Sequence, residues 1–492
     1  MTAMRSAAAC SSTCYDSGAP EAKTAMKVPY GIADYYALRT EGHVYVDRTA
    51  YIPTIEELGK SLLFLRPRRF GKTLWLRTLA CYYDLRYAGE HERLFGGLAI
   101  AGNETPLAHR YFVLEWDFSK INPDPPPRGV NVSVTSRPER IGNEIHSYLN
   151  GSLTSFVSDY REHLPQSVAI DEGDAFRTLN DVLAAIRRTP YKLYLLIDEY
   201  DNFANEVMTA DPEVYQSLVH ADGPFKYLFK WVKAATTGQG LDRLFITGVS
   251  PVVMSDVTSV LNIARGVYLH PELADLCGFT DAEIDGLLAR AIAEGDDAVA
   301  AKAMMRQWYN GYRFVPEATE KIYNPTLALY FLLHLQERRG YPRQMLDSNL
   351  AADESKLEYL GQVALGQEAV IRLIRSGEPL EIERLEERFT LHSMLERSAQ
   401  DATFLGSFLY YFGMLTLVGE TPERSLLLAP PNLVMQGLYV DQVLRFLLPR
   451  GQTRDAAVEA KRPLLHDGEI EPLLNAGRDQ PKVPHKVKEN LA

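Results

Sequence analysis

The chain has 492 residues, with 52 Lys and Arg against 64 Asp and Glu, a formal net charge of −12. At roughly 150 residues per domain this length suggests about three domains with sizeable cores. The acidic balance argues against a protein that coats nucleic acid or anionic lipid, though it leaves room for a local basic groove, and a 46% hydrophobic, 24% charged composition excludes wholesale disorder.

Residues 1–27 lack a continuous apolar run followed by a cleavage site, so they read as a disordered tail and not as a secretory signal. Cys10 and Cys14 lie in this tail with no second Cys/His pair to complete a zinc site, and no HExxH or paired ligand spacing occurs among the eleven histidines. Cys81 and Cys277 sit in apolar contexts and read as buried thiols, which suits a reducing, cytoplasmic setting. Strand-like runs follow at Ser61–Leu65, Tyr111–Trp116, Leu193–Ile197, Leu244–Thr247 and Val267–Leu269, with helical stretches between them. Such alternation predicts a parallel sheet covered by helices. The proline-rich segment Asn122–Arg140 reads as a surface loop. Beyond Pro271, Asp281–Arg306 and Thr326–Arg338 carry apolar residues at three- and four-residue spacing and predict amphipathic helices. Glu381–Arg388 is densely charged and reads as a solvated helical face. Ala402–Gly419 has no charge and approaches the ~18 residues of a membrane span. Its Thr, Ser and Gly content and its lack of flanking Lys or Arg favour a buried helix, Phe404–Phe412, then a buried strand, Leu415–Val418.

The chemistry concentrates in LLFLRPRRFGKTLWLRTLACYYD, which begins at Leu62. An apolar strand runs into a short basic loop, then Gly71-Lys72-Thr73, then a helix. A phosphate cradle needs that order: the loop turns backbone N–H groups toward the anion and the helix N-terminus adds partial positive charge. Gly71 permits close backbone approach, Lys72 can reach the β- and γ-phosphates, and Thr73 can offer a hydroxyl to Mg²⁺. The standard eight-residue loop opens with Gly, and here Arg66 stands at that position; with Pro67, Arg68, Arg69 and Phe70 it makes the loop stiff and cationic.

A second element is Leu195-Leu196-Ile197-Asp198-Glu199. A buried strand that ends in two carboxylates is costly unless they enter a polar site at its C-terminal edge. Asp198 would hold Mg²⁺ with Thr73, and Glu199 would orient the water that attacks the γ-phosphate. Leu244–Ser250 ends a further strand, where Thr247 and Ser250 can place hydroxyls beside Asp198; an ordinary strand-end turn explains them equally. Arg265 is a candidate to sense the γ-phosphate. Lys226, Lys230 and Lys233, interleaved with aromatics, read as the wet face of an amphipathic helix before a nucleic-acid surface, and Trp308, Tyr309, Tyr312 and Phe314 as packing between domains before a ligand pocket.

These residues resemble the bacterial AAA-ATPase-like proteins, a P-loop family often fused to a C-terminal PD-(D/E)XK nuclease domain. The likeness runs through VPYGIADYYALRTEGHVYVDRTAYI (Val28–Ile52), FLRPRRFGKT (Phe64–Thr73), LLIDEYD (Leu195–Asp201), TGVS from Thr247, WYNGYRF (Trp308–Phe314), Tyr323-Asn324-Pro325 and Phe408–Leu417. Arg66 in place of Gly then reads as a family trait, whereas Asn310 replaces the usual Asp. The resemblance implies an α/β fold: a P-loop NTPase core of the additional-strand, parallel-sheet type, followed by a mostly helical, winged-helix-like C-terminal half. A division follows into the tail, a nucleotide-binding domain at 28–270, a helical lid at 271–390, an extension at 391–450 and a polar tail at 451–492. The nuclease domain reads as missing, since Glu459-x-Lys461 precedes Asp479, the wrong order for its metal site. The expected function is Mg²⁺-dependent ATP binding and hydrolysis as a nucleotide-controlled switch. Lys72, Asp198 and Glu199 would be catalytic; residues 66–73, Thr247 and Ser250 would bind ATP; Thr73 and Asp198 would hold Mg²⁺. A protein partner or second copy fits this reading, a membrane does not, and a non-hydrolysing scaffold or a DNA-processing motor are the alternatives.

Overall fold

A computed structural model describes residues 26–125, 136–165, 167–219, 223–251, 253, 263–292, 297–346, 377–387 and 401–439. Cys10, Cys14, Glu459, Lys461, Asp479 and nearly all of both expected tails lie outside these residues.

Strands β1 (Ser61–Leu65), β2 (Tyr111–Asp117), β3 (Lys192–Asp198), β4 (Leu241–Gly248) and β5 (Arg265–Gly266) form one parallel sheet in the order β2-β3-β4-β1-β5. Consecutive residues of β1, β3 and β4 are buried although they point to opposite sides of the sheet, so both faces are covered. The connecting helices are α1 (Tyr35–Thr40), α2 (Ile52–Leu58), α3 (Lys72–Tyr83), α4 (His91–Phe95), α5 (Arg137–Asp159), α6 (Ala175–Ile186), α7 (Asn202–Ala210), α8 (Pro212–Val219) and α9 (Pro224–Ala235). From β1 the chain crosses to the far edge at β2 and returns through β3 and β4. The loops after β1, β3 and β4 therefore meet at one carboxyl edge, where open α/β sheets hold their ligands.

Two sequence expectations shift in this part. The last strand is Arg265–Gly266, not Val267–Leu269, because the chain leaves the sheet once Val267 N–H has donated to Leu63 O at 2.9 Å. The expected loop 122–140 already turns helical at Arg137. Ser136 and Glu139 form a capping box, and Pro138 falls in the first helical turn, where no intrahelical N–H partner is needed. In α9, Phe225 and Phe229 are buried and Lys230 is exposed, so the helix is amphipathic, although Tyr227 is half exposed.

Beyond the sheet, α10 (Asp281–Ala291), α11 (Ala298–Tyr309) and α12 (Pro325–Arg338) pack around a second core of Leu287, Leu288, Met305, Tyr309, Phe331 and Leu332. Each starts with a side-chain cap, from Thr280, Asp297 and Asn324. Met26 and Val44 belong to this core, so the N-terminal segment rests against these helices. The third unit sets α13 (Ala402–Tyr411) against an antiparallel sheet of β6 (Leu380–Ile382), β7 (Thr416–Glu420) and β8 (Leu426–Ala429), in the order β6-β8-β7. The charged stretch from Glu381 therefore begins as a strand, not as a helical face: Ile382 is buried while Glu381 is exposed, and β8 supplies the pairing. This sheet also draws a strand from before residue 390, where the expected boundary lay. The uncharged stretch from Ala402 is a ten-residue helix followed by a strand, and no helix among the described residues is long and apolar enough to cross a membrane.

Candidate functional site

Between β1 and α3 the backbone turns through two left-handed residues, Arg69 at φ 67° and Gly71 at φ 92°, and Gly71 then caps α3. This turn lines a cavity of about 330 Å³, a size within the range of small-molecule sites. Arg69, Phe70, Gly71, Lys72 and Thr73 contribute to its wall together with Glu199. Much of the remaining wall is apolar and comes from Pro29–Ala33, Val44–Val46, Leu276–Phe279 and Leu329.

Polar contacts tie the loop to the strand ends. Thr73 Oγ1 donates to Asp198 Oδ2 at 2.7 Å, and the Thr247 hydroxyl at the end of β4 donates to the other Asp198 oxygen. The Lys72 side chain is only 2% exposed. Its ammonium donates to the Pro67 carbonyl at 3.1 Å and stands 3.8 Å from Glu199 Oε1, beyond hydrogen-bond reach. A buried ammonium so sparsely satisfied, facing a cavity, is suited to an anion. Thr73 and Asp198 supply hard oxygen donors of the kind Mg²⁺ takes, so the residues present fit that ion. Burial raises the Glu199 carboxyl above its ordinary value; Lys72 opposes this, and Asp201 and Asp198 add to it.

Other candidate residues stand elsewhere. Arg66 does not face the cavity. The residue is 2% exposed, and its guanidinium donates to the carbonyls of Leu65, Tyr268 and Leu273 and, at 3.5 Å, of Ala274, between the Phe64 and Phe314 rings at 4.5 and 4.4 Å. Pro67 and Arg68 line a separate cavity of about 50 Å³ below the loop, and Arg68 donates to Asn202. Ser250 is turned to Asp201, which accepts from its N–H at 2.8 Å and its hydroxyl at 3.1 Å. Arg265 lies on an edge strand opposite Leu62, at the start of β1, and donates to Leu58 O. Tyr312 and Phe314 pack edge-on against Phe70, as expected of packing between domains.

Several cavity residues escaped the motif reading. Arg48 lines the wall while its guanidinium forks onto Glu283 and donates to Gly278 O at 2.7 Å; Thr326 Oγ1 donates to Arg69 O at 3.0 Å. The Pro-Tyr-Gly block at Pro29 held the signal for the apolar wall, but nothing in its residue types reveals that it folds back over the loop.

Residues 29–258 match the family model described as Predicted AAA-ATPase. The chain is 27% identical over 316 residues to an uncharacterized protein in the vnfD 5′ region of Azotobacter chroococcum mcd 1, an alignment covering 64% of this chain and 53% of that protein. The chain thus spans about half the length of this relative. Among solved structures it is similar to the Aeropyrum pernix ORC2 protein in its ADPNP–ADP complexes, at 12% identity and TM-score 0.33 over 87% of this chain and 96% of that one. It is also similar to A. pernix ORC1 in complex with DNA, at 13% identity and TM-score 0.27 over 81% and 93%. The loop, both strand-end carboxylates and the N-terminal cavity wall all fall within residues 29–258, the segment that is similar to the AAA-ATPase-like family model.

Proposed function

We propose that the protein binds ATP with Mg²⁺ and hydrolyses it. One observation carries this reading: the Thr73 hydroxyl meets the Asp198 carboxylate at 2.7 Å, with the Lys72 ammonium and the Glu199 carboxylate beside them at the mouth of a buried phosphate-loop turn. The loop amides and Lys72 hold the phosphates, and the apolar part of the wall takes the base. Thr73 and Asp198 hold Mg²⁺, which when bound would neutralise charge on the phosphate oxygens. Thr247 keeps Asp198 oriented, and Glu199 accepts a hydrogen bond from the attacking water and aligns it with the γ-phosphorus. Arg69 is the loop arginine in position to meet phosphate. Arg66, Pro67, Arg68 and Ser250 support the loop or its neighbour without touching ligand.

The same reading keeps three functional parts: the nucleotide-binding domain at 28–270, a lid formed by α10–α12, and an extension that includes the strand at 380–382. It sets the protein in the cytoplasm, where the buried free thiols of Cys81 and Cys277 suit a reducing milieu. Steady-state phosphate release tests it. Wild type is expected to turn over ATP only with Mg²⁺, and Glu199→Gln to lose about 100-fold or more in kcat while still binding nucleotide. Equal, negligible rates for both would leave a non-hydrolysing scaffold in place of an enzyme.

A further inference from the structure

Glu199 stands at φ 49°, a left-handed backbone conformation that a residue with a Cβ adopts only where its surroundings impose it. Those surroundings are the residues on its C-terminal side, which interlock with the exit of β4. Tyr200 N–H donates to Thr247 O at 3.0 Å and its hydroxyl to Ser250 O at 2.6 Å. The Asp201 carboxylate accepts the N–H groups of Val249 at 3.1 Å and Ser250 at 2.8 Å, along with the Ser250 hydroxyl. Asp201 and Tyr200 are fully buried, and neither lines the cavity. The joint admits only glycine at position 248, where a Cβ would lie 2.4 Å from the Tyr200 ring and 2.7 Å from Asp201 Oδ1.

We infer that Asp201 is a positioning residue: by clamping the 249–250 amides it fixes the 198–202 turn in the form that aims the Glu199 carboxylate at Lys72. A buried carboxylate that spends its oxygens on two backbone N–H groups and a hydroxyl has a holding role. Removing one acceptor of this clamp should therefore loosen the aim of Glu199. The step that Asp201 serves rests on the proposed ATPase reading; the clamp itself does not.

Asp201→Asn in the full chain tests this, since it keeps one acceptor oxygen and deletes the charge. Affinity for a fluorescent ATP analogue with Mg²⁺ is expected to stay within about threefold of wild type. At the same time kcat should fall about tenfold or more with little change in KM. Independently of turnover, amide exchange in 198–202 and in 247–250 should accelerate together by about tenfold. Ser250→Ala, which removes one bond of the clamp, should move the same quantities less and serves if Asp201→Asn does not fold. An unchanged kcat with unchanged exchange overturns the inference, as does faster exchange confined to one segment. A wild type with no turnover would sink the ATPase reading, and the exchange measurement would still decide the clamp.

Discussion

Burial leaves the Glu199 carboxyl easier to protonate in the folded protein than in the unfolded chain, even with Lys72 at 3.8 Å. Between its ordinary and its raised value the native state therefore binds more protons than the unfolded state, so stability falls as pH rises through that window. In the proposed hydrolysis the carboxylate form is the working one, so turnover should climb through the same window. The two slopes oppose each other, and Glu199→Gln should flatten both, measured by kcat profiles and thermal melts between about pH 4 and 8. A turnover profile whose acid limb survives in Glu199→Gln would assign the limb to another group. That Lys72, Thr73, Asp198 and Glu199 are neighbours was readable from sequence, because a strand–loop–helix turn and the end of an adjacent strand bring such residues to one carboxyl edge of the sheet. Ser250 was not, because its type suits a ligand contact and a backbone clamp equally, and only the placement of Asp201 decides between them.

At the scale of elements, the loop is gripped on its far side. Arg66 joins four carbonyls and two rings, Pro67 packs so closely on Gly413 that a Cβ there would approach it to 2.7 Å, and Phe70 meets Tyr312 and Phe314. This explains physically why arginine occupies the place where phosphate loops carry glycine: the side chain is a buried peg between the sheet and the C-terminal part. Arg66→Gly restores the standard loop yet should destabilise the fold by about 3 kcal/mol or more, because four carbonyls lose a donor and a cavity opens. Arg66→Lys should recover little, since one ammonium cannot span that fork. Chemical denaturation checks both, and near-wild-type stability for Arg66→Gly would refute the peg. The strands β1 to β4 were legible because strands buried on both faces read as continuous apolar runs. β5 and β6 were not: an exposed two-residue edge strand and a three-residue strand among charges acquire their structure from the neighbours they pair with.

Across the whole molecule, the sheet core and the helical core of α10–α12 meet at the cavity. Arg48 clasps Glu283 at the start of α10, and Thr326 at the start of α12 holds the carbonyl of Arg69. A ligand that fills the cavity touches both cores, so it should stabilise them jointly. At a hundredfold excess over Kd the gain is about 2.7 kcal/mol, a rise of several degrees in Tm for a chain melting as one unit. Arg48→Ala should weaken nucleotide binding and shrink that rise, as thermal shift would detect. Assembly of the cavity from segments some 300 residues apart is what no local pattern discloses, although each segment falls inside a recognisable block. The most direct measurement is a calorimetric titration of ATP into wild type and Lys72→Ala, with and without Mg²⁺. Saturable binding to wild type that tightens with Mg²⁺ is expected, with a loss of about 100-fold or more in affinity for Lys72→Ala; equal affinity of both proteins, with no response to Mg²⁺, would refute a phosphate-binding role for Lys72.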